Sequence, residues 1–185
     1  MTETRAKIVA AAVTCFLNNE SDTLEKVAEE AGVSRRTLHR YFENRQDLLA
    51  SCKKEMLDRC NQAMNEAYES DKNPIIKVRN MLFAAIEQGA NYAFIKKIYS
   101  RSNYSELEHQ QAFESDTVKA KWLKIMKDLQ AEKRIHHELT IPWIFDLFGA
   151  IIEAAILAVE AGDVARNDSK KFAWTSFKGA IGLKE

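Results

Sequence analysis

Residues 23–49, which read TLEKVAEEAGVSRRTLHRYFENRQDLL, decide the fold of this chain. Two short amphipathic patterns lie on either side of Gly32, a residue that can adopt the left-handed backbone conformation that ends a helix. Ser34 can cap the next helix, so only about three residues separate the two predicted helices. Two short helices joined by a tight turn, with basic residues crowded on the second, are typical of a helix-turn-helix.

Capping residues mark the ends of the neighbouring predicted helices. Ser21, Asp22 and Thr23 supply several possible N-caps for the second helix, and Asp22 with Glu25 three residues later resembles a capping box. Asn44 followed by Asp47 repeats this arrangement at the start of a fourth, long helix. That helix is expected to end at the polar break of residues 70–73.

The remaining patterns are also helical. Pro74 and Pro142 both stand where a helix should begin, and residues 74–134 read as roughly three helices with breaks near residues 89–91 and 101–103. A last helix is predicted from about Asp168 to Leu183. With only 6 Gly and 2 Pro in 185 residues, the chain lacks the turns of an all-β fold. The sequence predicts an all-α protein of about nine helices.

Two domains are expected, a helix-turn-helix domain over residues 1–49 and a helical domain over residues 50–185.

The three cysteines lie inside helical patterns, and no basic-then-apolar leader precedes the first helix. A reduced, cytoplasmic protein is therefore expected.

The apolar stretch of residues 142–162 raises the question of a membrane span. Asp146, Glu153 and Glu160 interrupt it at intervals of seven residues and so form one thin polar stripe on a helix. We expect this segment to be a buried helix of a protein that does not enter the membrane.

Positive charge is local rather than general. The chain has 27 Lys and Arg against 27 Asp and Glu, but residues 34–45 hold four arginines and a single acidic residue. At about 100° per residue, one arc of the third helix carries its cations and the opposite arc carries Thr37, Leu38, Tyr41 and Phe42. The cationic arc consists of Arg35, Arg36, His39 and Arg40. One face is expected to meet DNA and the other to meet the core.

The expected DNA contacts divide into two kinds. Arg35 and Arg36 are expected to read bases, because arginine bonds guanine O6 and N7 in the major groove, although an ion pair with phosphate stays open for both. Hydroxyl groups and helix N-termini suit phosphate, which assigns Ser34, Thr37, Tyr41 and Arg45 to the backbone. The full predicted set is Thr23, Ser34, Arg35, Arg36, Thr37, His39, Arg40, Tyr41 and Arg45.

Residues 23–49, together with IVAAAVTCF of the first helix, resemble the DNA-binding signature of TetR-type transcriptional regulators. The chain departs from the common family pattern at Arg36 and His39. The resemblance implies a homodimer that binds a pseudo-palindromic operator. It also implies a C-terminal helical domain that dimerises and binds a small-molecule effector. Regulators of this kind are most often repressors. No cofactor is expected.

The C-terminal patterns suggest a dimer interface and a ligand pocket. Residues 142–161 form a helix apolar nearly all round, and residues 168–183 carry a face of small residues, which together exceed what one small domain can cover. The expected interface is Ile152, Ala155, Ile156, Val159, Ala173, Phe177, Ala180 and Ile181. The expected pocket is Tyr92, Tyr99, Tyr104, Trp122, Trp143 and Phe148, with core packing as the alternative.

A helical-bundle metal enzyme is the alternative function. Glu106 and His109 form one Glu-x-x-His motif, but a di-iron carboxylate site needs this motif on two helices. His136, His137 and Glu138 are adjacent, and adjacent side chains on a helix point about 100° apart. No metal site is expected from either group.

Overall fold

The computed structural model describes residues 3–19, 21–89 and 117–184, and in these ranges it contains eight α-helices and no strand. The all-α prediction is confirmed. The helices are α1 (Glu3–Asn18), α2 (Leu24–Glu30), α3 (Arg35–Tyr41), α4 (Arg45–Glu69), α5 (Pro74–Glu87), α6 (Val118–Ala131), α7 (Ile141–Glu160) and α8 (Arg166–Ala180).

The chain divides into two compact units, Met1–Arg59 and Cys60–Glu185. The predicted domain boundary lies earlier, between residues 49 and 50. Because α4 runs without a break through both positions, the predicted boundary stays a prediction about which residues fold independently.

Most predicted helix starts are confirmed by side-chain caps. The Ser34 hydroxyl caps α3, the Asn73 side chain caps α5 with Pro74 in its first turn, and Pro142 lies in the first turn of α7. At α2 the cap is Thr23, one of the three predicted candidates, and not the Asp22 of the suggested capping box. Thr23 accepts the Lys26 N–H, whereas the Asp22 carboxylate accepts from the Asn19 side chain and so does not cap the helix.

The N-terminal unit is built around α1. This helix buries one stripe of small and branched apolar side chains, which is the face that its spacing predicts. The other elements each supply one or two large side chains to the buried set. Its buried members are Ile8, Val9, Ala11, Ala12, Val13, Cys15, Phe16, Val27, Ala28, Leu38, Phe42, Leu48, Cys52 and Met56.

The C-terminal unit is a helical bundle with an aromatic centre. Helices α5, α6, α7 and α8 all contribute to one buried cluster. Trp122 and Phe148 contact each other with ring centroids 5.1 Å apart, and Phe148 meets Phe177 edge-on at 5.2 Å. These aromatic contacts join α6, α7 and α8 at the centre of the bundle.

The sequence predicted a buried helix at α7, but only part of its surface is buried. One stripe faces the core, whereas Trp143 remains 58% exposed and Leu157 54% exposed. The buried stripe is Ile144, Phe148, Ile152 and Ile156. By length and composition alone α7 could span a membrane, but the core helix of a soluble protein meets the same criterion. Its inner stripe belongs to the bundle core.

The last helix begins and ends earlier than predicted. It covers Arg166–Ala180 rather than residues 168–183. The earlier end follows from the turn of the backbone at Gly182, where φ is +63°. Beyond the turn, the Lys184 N–H donates to the Arg134 carbonyl, and the His136 N–H donates to the Ile181 carbonyl. The end of the chain therefore pairs with the loop between α6 and α7 instead of continuing the helix.

Candidate nucleic-acid interface

The turn between α2 and α3 has the geometry that the sequence predicts. Gly32 lies at φ +63°, and its N–H donates to the Glu29 carbonyl at 3.0 Å. The next N–H, of Val33, donates to the Ala28 carbonyl at 2.9 Å. These bonds satisfy the last carbonyls of α2 and turn the chain directly into Ser34.

The start of α3 presents two hydroxyl groups side by side. Ser34 Oγ accepts the Thr37 N–H at 3.1 Å and lies 2.9 Å from Thr37 Oγ1. Ser34 is exposed and Thr37 is half-buried. Both hydroxyls are at the helix N-terminus, where the backbone N–H groups favour an anion such as phosphate.

Helix α3 separates into an inner and an outer face. Leu38 is fully buried, and Phe42, which caps the C-terminal end, is buried as well. Tyr41, expected with them in the core, is half-buried at the border. The exposed outer face consists of Arg35, Arg36, His39 and Arg40. The structure thus places the predicted cationic arc on the surface.

Arg35 has an acidic partner that the sequence analysis missed. Its Nη1 lies 3.0 Å from Glu25 Oε1, and both side chains are more than half exposed. The pKa of the Glu25 carboxyl is lowered, first by its own backbone N–H, then by the Thr23 hydroxyl, and further by the charges of Arg35 and His39. Glu25 is therefore charged at neutral pH and faces the basic side of α3.

Two further arginines bind to aromatic rings of the N-terminal unit. The Arg45 guanidinium lies 4.5 Å from the centre of the Phe16 ring, and Arg5 lies 5.1 Å from that of Phe42. Arg5 also donates to Ser51 Oγ at 2.9 Å. These cation–π contacts hold the predicted phosphate-binding Arg45 against α1. Arg5, which the sequence analysis did not single out, ties α1 to the end of α3 and to α4.

The start of α4 is capped in both directions. Asn44 Oδ1 accepts the N–H groups of Gln46 and Asp47 at 2.9 and 3.0 Å. Asp47 in return accepts the Glu43 N–H at 3.1 Å. The predicted Asn44 and Asp47 arrangement is confirmed, and the N–H that Asp47 caps belongs to Glu43. This network fixes the backbone on which Arg45 stands.

Arg40 and Thr23 complete the predicted set. The Arg40 guanidinium lies 5.1 Å from the centre of the Tyr41 ring, so these neighbouring side chains form one unit at the end of α3. Thr23 is exposed at the start of α2, where its hydroxyl accepts the Lys26 N–H at 3.3 Å. Their contacts with DNA stay predictions.

The predicted ligand pocket is only partly within the described residues. Tyr92, Tyr99 and Tyr104 lie outside them. Trp122 and Phe148 are buried together in the bundle core, whereas Trp143 points outward and so cannot join them. Trp143 lies on the side of α7 opposite the buried stripe, and the pocket as a whole stays a prediction.

Most of the residues predicted for the dimer interface lie on the inner faces of α7 and α8. Five of its eight residues are buried in the core of their own chain and are not available to a partner, namely Ile152, Ile156, Ala173, Phe177 and Ile181. Ala155 and Val159 are half-buried, and Ala180 is exposed. The large apolar side chains that do reach the surface are Trp143, Leu157 and Phe172.

The residues considered for metal binding do not form a site in the described part of the chain. Within it, no three His, Cys, Asp or Glu side chains are grouped so that they could hold a metal ion. His136 and His137 each place Nδ1 3.3 Å from a carboxylate oxygen of Glu138 on the surface. Glu106 and His109 lie outside the described residues.

Comparisons with known proteins agree with this geometry. Residues 8–52 match the family model of bacterial regulatory proteins, tetR family, which confirms the resemblance predicted from residues 23–49. A comparison with curated protein sequences finds no match.

Solved structures of transcriptional regulators, two of them described as TetR-like or of the TetR family, share the fold over nearly the whole chain. LfrR from Mycobacterium smegmatis, solved with proflavine, is 21% identical, with a TM-score of 0.74 and 96% of each chain covered. A TetR family transcription regulator from Marinobacter aquaeolei is 15% identical, with a TM-score of 0.73 and 93% of this chain and 94% of that chain covered. The ketosteroid transcriptional regulator KstR2 of Mycobacterium tuberculosis is 14% identical, with a TM-score of 0.72 and 100% of this chain and 97% of that chain covered.

Proposed function

We propose that this chain, whose residues 8–52 match the tetR family model, is a dimeric, cytoplasmic transcriptional repressor that a small-molecule effector releases from a pseudo-palindromic DNA operator. The observation that carries the proposal is the exposed cationic face of α3 opposite the buried Leu38. A rigid helix with this distribution of charge fits the major groove, and its inner face keeps it attached to the unit. The three free cysteines support a reducing compartment.

The DNA contacts follow from what holds each side chain. Arg36 is exposed and forms no ion pair within the described residues, so it is available to bind a guanine edge. Arg35 can contact DNA only if its guanidinium breaks the ion pair with Glu25 or binds DNA and Glu25 at the same time. Arg45 is oriented by Phe16 and stands beside the capped start of α4, which suits a phosphate contact that fixes register.

Dimerisation is supported by the exposed apolar side chains of the C-terminal unit. Trp143 and Leu157 on α7 and Phe172 on α8 are each more than half exposed. Exposed large apolar side chains of this kind are commonly covered by a partner. A twofold pair would bring two recognition helices to half-sites about 34–36 Å apart, doubling the contact area of a small motif. We therefore place the interface on these outward faces.

Release by an effector requires the two units to be coupled, and α4 belongs to both. Near its C-terminal end, α4 is held by Lys121 of α6. The Lys121 Nζ lies 3.1 Å from Asn65 Oδ1, 3.6 Å from Glu69 Oε1 and 5.2 Å from the centre of the Tyr68 ring. An effector that shifts α6 would move this end of α4. It would weaken operator binding by its differential affinity for the two states.

The family match favours a regulator over the helical-bundle enzyme, and we propose no enzymatic activity. The similar solved structures support an effector of modest size, because LfrR was solved with proflavine and KstR2 is named for ketosteroids. Neither compound is assigned to this chain by that similarity.

Selection of bound fragments from random duplex DNA tests the proposal. We expect enrichment of an inverted repeat whose half-sites lie about one helical turn apart, together with binding that weakens steeply as salt rises. The matched control is Arg36→Ala, which should lose the enriched sequence. A wild-type chain that stays monomeric in sedimentation and enriches no sequence at low salt would overturn the proposal.

A further inference from the structure

His39 puts a titratable ring on the outer face of α3. It is the only histidine among residues 1–59. Its side chain is exposed, and it stands four residues after Arg35, one turn further along the same face of the helix. Histidine is the side chain whose ordinary charge change falls between about pH 5 and 8. The face proposed to meet DNA therefore carries three permanent cations and one cation that depends on pH.

Both helices of the helix-turn-helix supply charges around this ring. On α3, the rest of the cationic arc consists of Arg35, Arg36 and Arg40. On α2, Glu25 Oε1 lies 3.0 Å from Arg35 Nη1. The pKa of the Glu25 carboxyl is lowered first by its own backbone N–H and, among neighbouring charges, by Arg35 and His39. His39 is thus close enough to interact with this carboxylate, and it faces three cations and one anion.

A bound duplex would change these surroundings. DNA carries one negative charge per about 1.7 Å of helix axis, so its phosphates would neutralise the arginines and attract a proton to the imidazole. Phosphate oxygens accept hydrogen bonds in these contacts, and the charged ring donates from both nitrogens whereas the neutral ring donates from one. Charge-assisted bonds to phosphate are also the stronger kind. The protonated form of His39 is therefore the form that binds DNA better.

The other side chains of the N-terminal unit titrate at other pH values. Carboxyl groups ordinarily ionise below pH 6, and lysines and arginines lose their charge well above pH 8. Burial raises the pKa of the Cys15 thiol and raises that of Cys52 to about 12, so neither thiol ionises near neutrality. Between pH 6 and 8, His39 is the side chain among residues 1–59 that can couple DNA binding to pH.

We propose that duplex binding takes up a proton at His39, so that the affinity of this chain for DNA rises as the pH falls from 8 to 6. The proposal rests on the DNA-binding function given to α3 above. Its sign follows from linkage, because a complex that holds the proton more tightly than the free chain is favoured by added protons. The proton also adds one positive charge to the interface, so binding depends more steeply on salt at pH 6.

Fluorescence anisotropy of the full chain at pH 6, 7 and 8, each over a salt series, tests the proposal. We expect affinity for operator and random duplexes to be about fivefold higher at pH 6 than at pH 8, because an opposite charge commonly moves a titration by at least one pH unit. The slope of log affinity against log salt should be steeper at pH 6 by up to about one. His39→Gln should lose both effects. His39→Arg should keep the steep salt dependence at pH 8.

Two control variants should retain the pH dependence. His137→Gln makes the same change at an exposed histidine between α6 and α7. Glu25→Gln removes a carboxylate that stays ionised over the whole range. Wild-type affinities that are equal at pH 6 and 8, or a pH effect that survives in His39→Gln, as one from the terminal amino group would, overturn this proposal and leave DNA binding standing. A chain that binds no duplex at either pH overturns the proposed function and this inference with it.

Discussion

The carboxylate of Glu25 on α2 lies 3.0 Å from the guanidinium of Arg35 on α3. Both side chains are more than half exposed, so solvent screens the pair and its contribution to folding is small. Its consequence is local. It orients the first arginine of the recognition helix and keeps a negative charge beside the surface that is proposed to meet phosphate. We propose that the carboxylate competes with DNA for Arg35.

Replacement of Glu25 by Gln should strengthen binding to duplexes of every sequence. The change removes one negative charge and releases Arg35, so the slope of log affinity against log salt should steepen by about one. The control is Glu29→Gln, because Glu29 lies on the same helix and pairs with Lys26 instead. Fluorescence anisotropy over a salt series measures both quantities. Identical behaviour of the two variants would refute competition at Arg35.

Arg36 and Arg45 should differ in the kind of binding they support. Arg36→Ala should cost about 1–3 kcal/mol on the selected operator and relax the preference at particular base pairs. Arg45→Ala should weaken operator and random duplex alike. Arg35→Ala is expected to resemble Arg36→Ala. Affinities for operator and random duplexes decide the matter, and equal losses on both duplexes for all three variants would contradict the assigned roles.

Ser34→Ala should destabilise the N-terminal unit by about 0.5–2 kcal/mol, because the Thr37 N–H loses its cap. Ser34→Asn retains a capping side chain and should stay within a few tenths of a kcal/mol of wild type. Urea unfolding followed by circular dichroism measures the difference. If alanine and asparagine proved equally stable, the cap at α3 would not contribute as the geometry indicates.

Gly182→Ala should destabilise the C-terminal unit more than Gly162→Ala does. Both glycines have positive φ, which costs an alanine about 1–2 kcal/mol. A Cβ at Gly162 would meet open space, whereas one at Gly182 would strike the His136 ring, which must then leave Glu138. Thermal unfolding of the two variants isolates the steric part. Equal losses would show that the His136 ring moves away without cost.

Lys121→Met should loosen the C-terminal end of α4. The substitution keeps a long apolar stem but removes the contacts with Asn65 and Glu69. Backbone amides of residues 60–69 should exchange with deuterium faster, while those of residues 45–56 should not change. Lys127→Met, an exposed position on the same helix, is the control and should leave both segments at wild-type rates. Unchanged exchange in Lys121→Met would remove the proposed coupling contact.

Features that depend on a few neighbouring residues could be predicted from the sequence. Gly32 between two short amphipathic patterns indicated the turn, and Ser34 and Asn44 indicated the helix starts that the structure contains. The exposed cationic arc of α3 followed from helical periodicity alone. Glu25 was assigned to a capping box with Asp22, but its carboxylate pairs with Arg35 instead. That ion pair joins two helices, so no local sequence pattern indicates it.

By itself, the sequence determined that the chain is helical, where its helix-turn-helix lies and which side of α3 is cationic. Capping and amphipathic spacing act within about four residues, so a linear pattern records them. Only the tertiary structure decided which side of α7 is buried, that Trp143 points outward while Trp122 points inward, and that Gly182 ends α8 against His136. A helix that is apolar nearly all round has no polar face to orient it. Its buried side is therefore chosen by packing against helices that are distant in the chain.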